Sequence, residues 1–131
     1  MTPHKALRII SLSAFFQCIA VVIKPDFYVY ELFHNLTHYD LIVEHLKTYI
    51  YLCVICGINI AILIFYASFL DYIGAKKMLK GVSLGFGIMA LTLFLYLFTT
   101  PLRPPYFILF MMLIFSIFAF VISNKKQPDF N

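Results

Sequence analysis

The chain has 131 residues, 63% of them hydrophobic and only 12% charged, with a formal net charge of +4. That composition lies outside the soluble globular range and matches a polytopic membrane protein. At about 20 apolar residues per crossing, four spans take up most of the length and leave no room for a soluble catalytic domain. The basic residues are scattered among membrane-flanking positions, not gathered in an aromatic-interleaved patch, which excludes nucleic acid as a partner.

The expected fold is an all-α integral membrane bundle of four transmembrane helices, a single membrane domain over residues 1–131. The first span is expected at 6–23, preceded by His4 and Lys5, with Arg8 placed to snorkel to the interface and Pro25 ending the helix. The basic start, apolar core and Cys18-Ile19-Ala20 also fit a cleaved signal peptide. The segment is long enough to stay as an anchor and is read as a span.

Residues 27–46 follow as an expected amphipathic helix outside the membrane between the first two spans. At about 100° per residue, Glu31, His34, His38 and His45 fall within roughly 60° of one another. Leu32, Phe33, Leu36, Tyr39, Val43 and Leu46 take the opposite side. His34 and His38, four residues apart, can share a zinc ion with Glu31 as a third ligand. His45 lies seven residues beyond His38, about 10 Å of helix, and does not join them. The competing readings are a solvated polar face, or a surface that gains protons below about pH 6.5 without metal. Asn35-Leu36-Thr37 is an N-glycosylation sequon in form, set where a nearby membrane would hinder the transferase.

The second span is expected at 48–70 and carries Cys53-Val54-Ile55-Cys56, at a depth similar to Cys18 in the first. Side chains three apart on a helix have Cβ atoms about 5–6 Å apart, wider than the roughly 3.8 Å of a disulfide, so buried, inert thiols are expected. The pair nevertheless resembles that of the quinone-coupled disulfide-forming enzymes, small four-helix membrane proteins with such a pair near this end of their second helix. The resemblance implies thiol–disulfide exchange at Cys53 and Cys56 with a quinone as cofactor; in this chain Cys18 is the candidate to resolve the pair. In that family a second, loop-borne cysteine pair and a nearby Arg take part. Here Cys18 is the one further cysteine, and Gly57-Ile58-Asn59-Ile60 follows the motif with no Arg.

The third span is expected at 82–100 and the fourth at 105–123, joined by Thr100-Pro101-Leu102-Arg103-Pro104-Pro105, which is short enough to force an antiparallel hairpin. Gly81 with Gly85, and Ser83 with Gly87, form two small-xxx-small rows that let another backbone come close. Gly57 and Ala61 on the second span repeat the spacing and offer an intramolecular partner. Gln17 and Asn59 are expected to hydrogen-bond between helices. The spans contain no Asp or Glu and the chain has no Trp, which removes the carboxylate chemistry of sterol isomerases and related lipid-binding bundles. The 24 Phe and Tyr residues are the usual filling and interfacial belt.

Lys5, Arg8, Lys76, Lys77, Lys80, Lys125 and Lys126 fall on one side of this arrangement, against Lys24, Lys47 and Arg103 on the other. The excess predicts both termini in the cytoplasm. The first helix ended by Ile23-Lys24-Pro25, the longer outer connection, the basic stretch Lys76-Lys77-Met78-Leu79-Lys80 and the short last hairpin together resemble the DoxX-like group of small four-helix membrane proteins. Members of that group often act as partners of other membrane or redox proteins. The resemblance implies a non-enzymatic accessory or assembly subunit, with the lipid bilayer and a membrane-protein partner or a second copy as its contacts. No cofactor is called for by that reading.

Overall fold

A computed structural model describes residues 1–32, 40–99 and 106–125. Five helices follow in order: α1 (Pro3–Ile23), α2 (Pro25–Leu32), α3 (Asp40–Ala67), α4 (Tyr72–Thr99) and α5 (Tyr106–Ser123), with no strand among the described residues. All but α2 are long and apolar enough to cross a membrane, so the chain is a four-helix, multi-pass membrane bundle.

Local chemistry sets the helix boundaries. Thr2 caps α1, its Oγ1 accepting from the Lys5 N–H at 3.4 Å with Pro3 at the first helical position. At the other end Pro25 forces the preceding Lys24 out of helical geometry, to φ −132° and ψ 62°. Asp71 caps α4, its Oδ1 accepting from the Gly74 N–H at 3.1 Å.

Two boundaries differ from expectation. The helix that carries the second expected span already runs from Asp40, so residues 40–46 of the expected outer helix are continuous with it, while residues 27–32 belong to α2 and 33–39 lie outside the described residues. Neither Pro nor Gly occurs between Asp40 and Cys56, so nothing in the backbone ends a helix there, and an amphipathic stripe has the same period whether it lies flat or runs on into a span. Likewise α4 begins at Tyr72, placing Lys76, Lys77 and Lys80 on a helix and not in a loop. Lysine is a good helix former, and the Asp71 cap starts the helix ahead of all three.

The helices pair off. Along α1 and α3, His4 meets Ser68, Ser11 meets Ala61 and Cys18 meets Gly57. Along α4 and α5, Lys76 meets Lys125, Ser83 meets Ser116 and Phe86 meets Phe115. In each set the numbers rise on one helix as they fall on the other, so both pairs are antiparallel. The pairs join at the end of the bundle that carries the N-terminus, where Leu7, Ile10, Ile64, Leu79, Phe115 and Ile122 share one buried cluster. Burying each large apolar side chain there contributes about 1.5–3 kcal/mol when the alternative is water. Inside lipid the gain is tight contact instead.

At this joined end Nδ1 of His4 donates to the Ser68 carbonyl at 3.0 Å, and Nε of Arg8 donates to the Ser68 hydroxyl at 3.2 Å. The Arg8 guanidinium lies 5.1 Å from the centroid of the Phe69 ring. Arg8, exposed on the bundle surface, thus also holds the α3–α4 turn. At the opposite end α2 folds back on the first pair. Val29, fully buried, sits with Ile50 and Val54 of α3, while Asp26 pairs with Lys47.

Candidate functional site

Although only a four-residue turn separates α3 from α4, the two helices make few direct contacts. What they share lies beside that turn, where Ile64 and Ala67 of α3 join Ala75, Leu79 and Val82 of α4. Beyond it the two helix pairs diverge, leaving a wedge-shaped cavity of about 680 Å³. That volume falls in the range of roughly 300–1,000 Å³ typical of small-molecule sites.

The α1 wall of the wedge is Ala14, Gln17, Cys18 and Val21. On α3 the wall runs from Tyr49 through Cys53 and Gly57 to Ile64. Opposite stand Met78, Gly81, Gly85 and Met89 of α4, with Phe107, Ile108 and Met112 of α5. Among the described residues no charged side chain lines it.

The two small-residue rows of α4 face different ways. Ser83 and Gly87 turn toward α5: a Cβ on Gly87 would lie 3.1 Å from the Ser116 Oγ. Gly81 and Gly85 border the wedge, and a Cβ on either would meet nothing within 4 Å. Gly57 and Ala61 have α1 as their close neighbour. A Cβ on Gly57 would come within 2.8 Å of the Cys18 Sγ, and the Ser11 Oγ donates to the Ala61 carbonyl at 2.7 Å. Those two small residues thus let α1, and not the glycine row of α4, approach α3.

The expected interhelical amide bonds are absent from the described contacts. Asn59 donates from Nδ2 to the Ile55 carbonyl of its own helix at 2.9 Å, the i−4 bond open to any polar side chain facing away from a partner. Gln17 differs. The residue lines the wedge, but its Nε2 is buried and has no hydrogen-bond partner, the one such side-chain atom among the described residues. Burying an amide donor without an acceptor costs about 1–3 kcal/mol, and Gln17, Tyr28 and Tyr49 are the residues that bring amide or hydroxyl groups to a mostly apolar lining.

The three cysteines are unpaired. Cys53 and Cys56 are both exposed on the face of α3 and not buried as the helix argument anticipated, while Cys18 is half-buried against Gly57. The wedge brings Cys18 and Cys53 to one surface and does not include Cys56 in its lining. Glu31 belongs to α2, whereas His34, His38 and Asn35 lie outside the described residues. Among the described residues no three His, Cys, Asp or Glu side chains converge as a metal site.

Sequence reasoning placed Ser83 in a helix-packing row but did not find Ser11 or Ser116, nor that the hydroxyls themselves join helices. Ser11, Ser83 and Ser116 each reach across to a neighbouring backbone, and the only signal was a hydroxyl within an apolar run. Compared with protein-family models, curated proteins and solved structures, the chain gives no match to any of them.

Proposed function

We propose that this chain is a non-enzymatic accessory protein of a membrane assembly, both termini in the cytoplasm, which works by receiving another membrane component in the wedge between α3 and α4. The observation that carries the reading is the wedge itself: two helix pairs that share a buried cluster at one end and leave the Gly81–Gly85 face of α4 open between them beyond it. Small residues along a span are where a second molecule can come closest to a helix backbone. The excess of Lys and Arg at the joined end supports the orientation, which sets α2 on the outer side. The layout shared with DoxX-like proteins accords with a partner role.

A diazirine amino acid at Met89, which borders the wedge, tests this in native membranes against the same residue at Leu84, which is 68% exposed and outside the lining. The reading expects a discrete adduct at 89 and only diffuse labelling at 84. Reaction of position 89 solely with α3 of the same chain would mean the wedge shuts in the membrane, and would overturn it.

A further inference from the structure

We infer that the groove lined by Tyr72, Ile73, Lys76, Lys77 and Lys80 at the start of α4 holds the phosphate of an anionic phospholipid. The groove lies at the joined end of the bundle, on the side of α4 turned away from the wedge, so the inference does not depend on what the wedge receives. At about 100° per residue, Ile73, Lys76, Lys77 and Lys80 fall within roughly 100° of one another, with Gly85 and Met89 on the opposite side.

Depth selects the membrane as the source of the ligand. Helix α4 has 28 residues, about 42 Å at 1.5 Å per residue, against a hydrocarbon layer of about 30 Å. The stretch Gly81–Thr99 alone, about 28 Å long, nearly matches that layer. The turns before it, Tyr72–Lys80, therefore stand at the level of the lipid headgroups. The groove encloses about 270 Å³, below the roughly 300–1,000 Å³ of a site that takes up a whole small molecule. That suits a headgroup whose acyl chains stay in the bilayer beside Ile73, which is 61% exposed.

Charge selects the phosphate. Lys77 and Lys80 stand about one turn apart, as do Lys76 and Lys80, a spacing at which like charges repel. The first turn of α4 carries no acidic residue to offset them. Asp71, the nearest carboxylate in the sequence, accepts from the Gly74 N–H as the helix cap, and the one ion pair among the described residues is Lys47–Asp26 at the other end of the bundle. Lys76 is partly held: its Nζ donates to the Lys125 carbonyl at 2.9 Å, which fixes one wall of the groove and ties α4 to the end of α5. Its other two N–H groups, and those of Lys77 and Lys80, have no acceptor among the described contacts. A phosphate on these donors replaces mutual repulsion with charge-assisted hydrogen bonds. A zwitterionic headgroup brings its own cation to the same place and gains less.

The test titrates phosphatidylglycerol, with phosphatidylcholine of the same acyl chains as reference, into the full-length protein in neutral detergent and counts bound lipid by native mass spectrometry. Phosphatidylglycerol is expected to bind in preference. Lys77→Gln and Lys80→Gln should each weaken it about fivefold, the worth of one lysine at an anionic surface. Lys5→Gln, exposed at the same end but outside the groove, should leave it nearly unchanged. Glutamine is as good a helix former as lysine and both groove positions are exposed, so the variants should keep the wild-type helix content. On the wild type itself, raising salt from about 0.1 M to about 1 M shortens the screening length from about 10 Å to about 3 Å and should weaken the preference. Equal binding of the two lipids, an equal loss from Lys5→Gln, or a preference indifferent to salt would overturn the inference. Glycerol phosphate displacing the lipid at equal concentration would give the groove to a soluble phosphate, and would overturn it too.

Discussion

Ser83 and Ser116 exchange hydrogen bonds across α4 and α5, each hydroxyl donating to the other's backbone carbonyl at 2.9 Å. The reciprocity makes α4 and α5 one unit, and it explains how they stay together while α4 diverges from α3. Bonds of this kind within a membrane average about 0.6 kcal/mol and reach about 1.7. Ser83→Ala and Ser116→Ala should each destabilise the bundle by about 1 kcal/mol, and the double variant by less than the sum if each serine also orients the other. Reversible unfolding in mixed micelles measures this, and strict additivity would show two independent bonds.

Cys18 packs against Gly57, where an added Cβ would lie 2.8 Å from the sulfur. Gly57→Val places carbon where the sulfur now sits and should cost about 1–3 kcal/mol by overpacking. Cys18→Ala should recover most of that loss in the double variant. If Gly57→Val were neutral in the wild-type background, α1 would sit farther from α3 than described.

The α3–α4 turn depends on Asp71 and Gly74. Asp71→Ala removes the cap on α4 and should cost about 0.5–2 kcal/mol. Gly74→Ala should cost a similar amount, although alanine is the better helix former, because its Cβ would lie 2.5 Å from Asp71 Oδ1 and 3.2 Å from the Leu70 Cβ. A stabilising Gly74→Ala would show that the cap is not formed.

Thiol chemistry separates the accessory reading from the redox one. Cys53 and Cys56 are exposed on an apolar face and Cys18 is half-buried. A small neutral maleimide should therefore modify Cys53 and Cys56 faster than Cys18, and a charged, membrane-impermeant reagent should react poorly with all three. Isolation of the protein under non-reducing acid trapping should give three free thiols. A Cys53–Cys56 or Cys18–Cys53 disulfide recovered from native membranes would restore the thiol–disulfide reading.

The spans were legible because lipid imposes a simple length rule on apolar runs, and Pro25 marks a real boundary through its fixed φ. The starts of α3 and α4 were not legible, since Asp40–Lys47 and Tyr72–Lys80 are polar enough to read as connections while containing no proline to end a helix. For the site, the residue types came through but their pairing did not. Spacing alone puts Gly81 and Gly85 on one face of a helix, yet whether that face meets another helix or a divergence depends on how α3 and α4 splay. That splay follows from long-range contacts such as Ser11 with Ala61 and Ser83 with Ser116, which no local pattern encodes.

The central claim is that α3 and α4 diverge and leave the glycine face of α4 uncovered by the chain itself. A nitroxide at position 85, in liposomes and with the three native cysteines replaced by alanine, tests it through its mobility and its collision rate with dissolved oxygen. Labels at Leu84, 68% exposed, and at Ala90, 2% exposed, set the limits for lipid-facing and helix-covered positions. The account predicts that the label at Gly85 is mobile and as oxygen-accessible as that at Leu84. An immobile, oxygen-shielded label matching Ala90 would show that the bundle closes on itself, and would contradict the account.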